Sequence, residues 1–300
     1  MLPQTWSEYA KAYIICCLLD AVTHKSPWKK SFIFNLSVGY TLEGIKTEKM
    51  RRYISSMLDA RGESRWQEYL DELSELLEEG DLFEGTPWEG KEKSLKDFAG
   101  KIDPHIVNNV TVSTMHGCPP KEIKAICSYM LHDVHIHTYV KLNPTLLGYD
   151  EARKILDANG FSYITLTHEN FDHDLQYKDA VVMLRELVEL AKKEGRQFGV
   201  KLTNTLGSVN DQKQLPGGEM YMSGRALLPL STTVATWLSK EFGGMLPISY
   251  CGGVNLMSAP ELFACGLKPL TIATDMLHPG GYGKLTQIAK KLEGCPGWDL

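Results

Sequence analysis

Two lysines in the middle of apolar, strand-like runs are the first residues able to do chemistry. Lys141 lies in Tyr139 to Thr145 (YVKLNPT), and Lys201 in the similar run Gly199 to Thr205 (GVKLTNT). An ammonium group facing inward from mid-strand must be paired or must meet a ligand, because burying a lone charge is costly. Either lysine could hydrogen-bond an electron-rich ring carbonyl or serve as a Schiff-base nucleophile. The plainer alternative is a buried ion pair with Glu169, Asp172 or Asp174. Asn143 after the first run, and Thr203 and Asn204 after the second, add polar groups at strand C-termini, where the chemistry of β/α barrels sits.

A second candidate is the turn Ser113-Thr114-Met115-His116-Gly117-Cys118-Pro119-Pro120, which follows one expected strand and precedes an expected helix. It brings a hydroxyl, an imidazole and a thiol to one rim, and any of them could move a proton. Proximity to a helix N-terminus would lower the Cys118 thiol and make it reactive, against the ordinary role of a cysteine as inert packing.

The third candidate is a phosphate cradle. The apolar run Leu246 to Tyr250 stops at Gly252 and Gly253, where missing side chains let the backbone approach an anion. A second run, Pro269 to Ala273, ends at Thr274 and Asp275 and is followed by His278-Pro279-Gly280-Gly281. Ser258 is the expected N-cap of the helix between them, with Glu261 completing a capping box and Gly266 stopping it. In a β/α barrel the last two strand-to-helix turns commonly hold a phosphate. A plain tight turn is the alternative for the glycine pair. Two further clusters are better explained without function. His132, His135 and His137 lack a suitably spaced carboxylate or cysteine, so no metal site is expected. Glu169, Asp172 and Asp174 resemble a hydrolytic carboxylate pair but fit a solvated loop.

The elements that must position these groups alternate. Expected strands are Ser31 to Val38, Val110 to Thr114, Thr138 to Leu142, Tyr163 to Thr167, Phe198 to Leu202, Leu246 to Tyr250 and Pro269 to Ala273. Helical patterns run over Tyr9 to Val22, Met50 to Leu58, Trp66 to Leu77, Pro120 to Leu131, Asp150 to Ala158, Lys178 to Glu194 and Leu230 to Phe242, with one more from about Lys284. Such alternation predicts parallel strands with helical crossovers, an α/β fold of the (β/α)8 TIM-barrel kind. Seven strands are one short of a closed barrel. Residues 1–300 read as one barrel domain, with residues 46–101 a charged helical insertion.

Composition agrees. The 300 residues are 43% hydrophobic and 23% charged, enough to bury a large core. A net charge of −5 gives no basic field for nucleic acid or an anionic membrane, so a small-molecule partner is expected. The apolar part of the first helix, Ala12 to Val22, is too short to span a bilayer. Seven cysteines with no C-x-x-C pair fit a reducing cytoplasm and exclude an iron–sulfur or zinc knuckle built on such a pair.

The strings VTVSTMHGCPPKEIKAICSYM, YVKLNPTLLGY, FGVKLTNTLGSVN, LPGGEMYMSGRALLPL, LPISYCGGV and ATDMLHPGGY closely resemble the flavin barrel of the putative selenate reductase subunit family, a relative of dihydroorotate and dihydropyrimidine dehydrogenases. The likeness runs from Trp6 through Trp298. It implies an FMN-binding barrel acting on a small planar nitrogen heterocycle, in longer proteins that add iron–sulfur centres and an NAD(P)H/FAD domain for electron transfer. It also implies that Lys141 hydrogen-bonds the isoalloxazine ring, with Asn143 and Lys201 beside it. Thr203 and Asn204 then face flavin and substrate, Ser223 and Gly224 lie against the flavin, and Gly252, Gly253 and Thr274 hold its phosphate. Where the dehydrogenases place a serine-cysteine base, this chain has Ser113-Thr114, so Thr114 or nearby Cys118 would take the proton. Family members carry a glycine- and alanine-rich strand-turn and a second strand before the point matching Met1, so a barrel shortened at its N-terminus is expected. Two other classes remain open on the residues alone: a Schiff-base lyase on Lys141 or Lys201, and a shortened barrel kept as a non-catalytic scaffold.

Overall fold

The computed structural model describes residues 2–23, 30–39, 41–113 and 116–295. They gather into two compact units, one of Met1–Leu36 with Leu42–Asn109, the other of Ser37–Thr41 with Val110–Leu300.

The first unit is mainly helical. Helix α1 (Leu2–Thr23), α2 (Glu48–Leu58) and α3 (Ser64–Glu79) are its long elements. Buried Trp66, Leu70, Leu73 and Leu77 repeat at three- and four-residue steps along α3, the stripe that a core-facing helix needs. Tyr13 of α1 sits at the centre of an aromatic group, with ring centroids 5.8 Å from Phe32, 5.6 Å from Phe34 and 6.3 Å from Trp66. The charged helical segment expected over 46–101 therefore contributes an apolar core of its own. No described helix is long and apolar enough to cross a membrane.

The second unit holds four whole strands of the sheet and the C-terminal ends of two more. The six strands, β1 (Phe34–Val38), β2 (Val107–Ser113), β3 (His137–Leu142), β4 (Phe198–Leu202), β7 (Ile248–Cys251) and β8 (Leu270–Thr271), lie in the order β1-β2-β3-β4-β7-β8. Pairs β3–β4, β4–β7 and β7–β8 are parallel. Helices α4 (Pro120–His132), α5 (Tyr149–Ala158), α6 (Tyr177–Lys193), α7 (Leu227–Glu241), α8 (Ala259–Ala264) and α9 (Gly281–Leu292) alternate with the strands. This is a run of staves from a β/α barrel. Apolar Val140, Leu142, Val200, Leu202 and Tyr250 are fully buried on alternate positions, so β3, β4 and β7 share one packed face.

Six of the expected strands form, and Tyr163 to Thr167 does not. Leu142 pairs directly with Leu202 and Val140 with Val200, so β3 and β4 are neighbours with no place between them for another stave. The alternating Tyr-Ile-Thr-Leu-Thr pattern sits instead in irregular chain. Tyr163 is 67% exposed there, and the Arg153 guanidinium donates to the Phe161 carbonyl at 3.0 Å. The structure adds a hairpin that the sequence reading lacked. Strands β5 (Leu206–Val209) and β6 (Glu219–Met222) pair antiparallel. Asn210 organises the loop between them, donating to Gly217 O at 2.8 Å and accepting from the Gln214 amide at 3.0 Å.

Candidate active site

Parallel register places the chemistry-bearing strand residues in one row. Lys141 of β3 lies opposite Lys201 of β4, and Lys201 opposite Ser249 of β7. Side chains at paired positions share a sheet face, so both lysines project to the same side. Burial lowers the pKa of the Lys201 amine; Lys141 lowers it further, and Cys251 acts in the opposite sense. Burial raises the Cys251 thiol, while the two lysines pull it down. The row ends in polar groups. The Thr203 amide donates to Cys251 O at 2.8 Å, and its hydroxyl meets Ser231 Oγ at 2.8 Å.

Beside this row lies a cavity of about 510 Å³, lined among others by Lys141, Thr203, Ser223, Arg225, Asp275 and His278. That size falls within the roughly 300–1,000 Å³ typical of small-molecule sites. Gly224, Gly252 and Gly253 line it too, all with positive φ, at 71°, 127° and 71°. Gly252 and Gly253 have no room for a side chain, and Gly224 is tightly packed. A Cβ on Gly252 would meet Ser231 Oγ at 2.7 Å, one on Gly253 would meet Gly224 O at 2.9 Å, and one on Gly224 would meet Thr274 Cγ2 at 3.3 Å. Gly253 thus packs on the Gly224 backbone, and at Gly252 and Gly253 only a residue without a side chain fits this wall. Asn255 and Ser258 brace the turn from behind. The Ser258 hydroxyl donates to Gly253 O at 3.2 Å and accepts from the Asn255 amide at 3.0 Å. Asn255 Oδ1 accepts from the Met257 and Ser258 amides at 2.8 and 3.2 Å. The capping box expected at Ser258 and Glu261 does not form: Ser258 is already helical and makes no side-chain cap bond, because its hydroxyl is engaged with the glycine turn.

A second polar assembly sits at the ends of β2 and β3. The Asp174 carboxylate, its side chain 2% exposed, accepts from Gly117 N–H at 2.7 Å, Thr145 Oγ1 at 2.8 Å and Asn143 Nδ2 at 2.9 Å, and bonds His116 Nδ1 at 2.9 Å. Asn204 Nδ2 donates on to Asn143 Oδ1 at 2.8 Å. Burial alone would raise Asp174, but the bonds from His116, Gly117 and Thr145 outweigh it and hold the carboxyl below its ordinary range. The His116 ring is raised by its bond to Asp174, against the opposing effect of burial.

Of the residues expected at the site, Lys141, Thr203, Ser223, Gly224, Gly252, Gly253 and Thr274 line the one cavity. Lys201 stands next to Lys141 in the row. Asn143 and Asn204 join the Asp174 assembly rather than the cavity wall, because the side-chain amides are engaged by Asp174 and by each other. Thr114 lies outside the described residues. At Cys118, burial first, then Glu122 and Asp174, raise the thiol above its ordinary range, the opposite direction to that expected of a thiol at a helix N-terminus. Asp174 partners His116 and belongs neither to a lysine pair nor to a solvated loop. His132 Nδ1 is hydrogen-bonded to the Glu194 carboxylate at 2.8 Å, and no group of three or more potential ligands that could hold a metal occurs among the described residues. Asp275 and His278, which stand in the turn expected to close the cradle, line the cavity as well. Arg225 and Cys251 were not singled out; each adjoins an expected site residue in sequence, Gly224 and Gly252.

Among solved structures, the chain is similar to ligand-free DHODH from Eimeria tenella, with a TM-score of 0.35 and 17% identity over 74% of this chain and 66% of that one. The same enzyme with ferulenol aligns with the same TM-score over 75% of this chain. At that distance the likeness has no bearing on function. The chain is 50% identical over 299 residues to "Putative oxidoreductase YgfK" of Escherichia coli K12 and to the protein of that name in Escherichia coli O157:H7. It spans only 29% of the length of these curated relatives. The family model described as "Oxidoreductase YgfK, N-terminal TIM-barrel domain" matches residues 1–300, and the chain belongs to that family.

Proposed function

We propose that the cavity at the ends of β3, β4, β7 and β8 binds FMN, and that the chain is the flavin barrel of a longer oxidoreductase. The observation that carries this reading is the glycine wall. Three positive-φ glycines, two of which admit no Cβ, line the same hollow as Ser223, Thr274 and Arg225, a combination suited to a phosphate held by backbone, hydroxyls and a fixed positive charge. Lys141 and Lys201 offer amine donors to the carbonyl edge of a ring whose tail occupies that wall. When bound, FMN supplies a two-electron carrier. The protein orients it: Thr203 is fixed by Ser231, and Asp275 by Lys284 at 2.9 Å. The finer assignment is a dihydropyrimidine or dihydroorotate dehydrogenase type acting on a planar nitrogen heterocycle, within a selenate reductase-like cytoplasmic enzyme. It rests on the resemblance of the quoted strings. The 29% span of the relatives leaves length for the electron-transfer domains that this reading requires.

Titration of the purified protein with FMN tests the proposal. A shifted flavin absorption band and saturable fluorescence change are expected, and Gly253→Val should abolish both. A protein that takes up no FMN overturns the reading. One observation favours a second reading: the Lys201 amine is lowered by burial beside another lysine, as in Schiff-base enzymes. Borohydride trapping of a carbonyl substrate on Lys201 would establish that chemistry, and an unmodified Lys201 across a panel of aldehydes and ketones would eliminate it.

A further inference from the structure

The proton that must accompany a two-electron reaction has no carrier yet. Thr114 lies outside the described residues, and the Cys118 thiol is pushed away from its thiolate. The structure contains a better-built candidate 58 residues from its partner in sequence. Asp174 is buried and receives four donors, of which His116 is the one that can titrate. Three of these bonds, from a backbone amide, a threonine and an asparagine, fix the carboxylate. The fourth fixes the ring, through the bond of its Nδ1 to the Asp174 carboxylate at 2.9 Å. A carboxylate on Nδ1 selects the tautomer whose Nε2 is a free lone pair.

The ring is also placed. It stacks on Tyr221 of β6 with centroids 5.9 Å apart and planes 25° from parallel. The hairpin bearing Tyr221 leaves the cavity wall at Thr205 and returns to it at Ser223, both of which line the cavity. On its other side Asp174 is joined through Asn143 to Asn204, the residue after cavity-lining Thr203. The side chain of His116 is 36% exposed while that of Asp174 is 2% exposed, so the imidazole is open to solvent and the carboxylate is not.

We propose that His116 is the catalytic acid–base of this site and Asp174 its positioning residue, so that the proton matching each electron pair passes through His116 Nε2. This rests on the flavin oxidoreductase reading. In the oxidising direction, one substrate C–H bond breaks and its hydrogen leaves with the electron pair, as hydride, to an oxidant of the isoalloxazine class. A neighbouring N–H or C–H bond gives its proton to Nε2, and the pair left behind closes the new double bond. Reduction is the reverse. The charged and titratable groups around the ring are Asp174 and Glu219, both of which raise its pKa, with Cys118 and Tyr221 close by. Asp174 and Glu219 outweigh the opposing effect of burial and make the ring a stronger base than a free imidazole.

Two measurements test this on the whole chain. In the first, nitrogen NMR follows His116 through pH without flavin or substrate. Its midpoint is expected above the ordinary imidazole value in the wild type and to fall in Asp174→Asn; a midpoint that Asp174→Asn leaves in place overturns the proposal. In the second, dihydrouracil and dihydroorotate serve as probes reducing bound FMN anaerobically. His116→Gln should slow reduction about 10²-fold or more with FMN affinity unchanged, and Asp174→Asn should move the inflection of the rate-pH profile to lower pH. A His116→Gln protein that binds FMN and reduces it at the wild-type rate overturns the proposal. Wild-type protein that binds no FMN instead defeats the flavin reading, and the NMR arm still decides whether the dyad exists. If neither probe reduces the flavin, the NMR outcome alone decides.

Discussion

At the scale of single residues, the pairing of His116 with Asp174 has consequences for stability that are independent of any ligand. The two shifts have opposite signs. His116 is raised in the folded state, so its contribution is complete below the unfolded imidazole value of about 6.5 and is lost as pH rises through the higher folded value. Asp174 is lowered, so its contribution is complete above the unfolded carboxylate value of about 3.9 and is lost as pH falls through the lower folded one. Between the two unfolded values the ion pair is fully formed. Urea midpoints measured across pH should therefore decline on the alkaline side as His116 gives up its proton, and Asp174→Asn should flatten that decline. An unchanged alkaline slope in the variant would mean that the pair contributes nothing to folding. Neither residue advertised this role in the sequence. His116 stood in a turn with two other proton carriers, and Asp174 in an acidic loop; no periodicity links positions 58 residues apart.

At the scale of elements, the strands that hold the site were legible because buried parallel strands read as short apolar runs, and lysine within such a run is conspicuous. The same rule misled at Tyr163 to Thr167, where alternation occurs without a partner strand, and it missed β5 and β6, four residues each, whose shape depends on Asn210 rather than on a hydrophobic period. The close approach of β3, β4 and the segment before β7 is written in one residue. A Cβ on Gly199 would lie 2.6 Å from Pro247 O and 2.6 Å from Tyr139 Cε1, one of them backbone that cannot yield. Gly199→Ala should therefore destabilise by about 1–3 kcal/mol through overpacking. Gly218→Ala, with nothing within 4 Å of the added carbon, should change stability little. Paired urea titrations measure the difference, and equal effects would show that the strands can separate to admit a methyl group.

At the scale of the whole molecule, the question is which part of a nucleotide the cavity recognises, and folding equilibria answer it without knowledge of the substrate. A ligand that binds only the folded chain stabilises it in proportion to the logarithm of its saturation, about 2.7 kcal/mol at 100 times its Kd. If the glycine wall with Arg225 and Thr274 grips a phosphate, FMN at that concentration should raise the unfolding free energy by about this amount. Riboflavin, which presents the same ring without the anion, should stabilise much less at equal concentration. Gly253→Val should erase the difference, because its side chain would occupy space next to Gly224 O and Leu228 Cβ, 2.9 and 3.0 Å from the first added carbon. Raising salt should narrow the gap between the two ligands as screening weakens the charge of Arg225. Equal stabilisation by FMN and riboflavin would place recognition in the ring alone, at Lys141 and Lys201, and would remove the phosphate from the site.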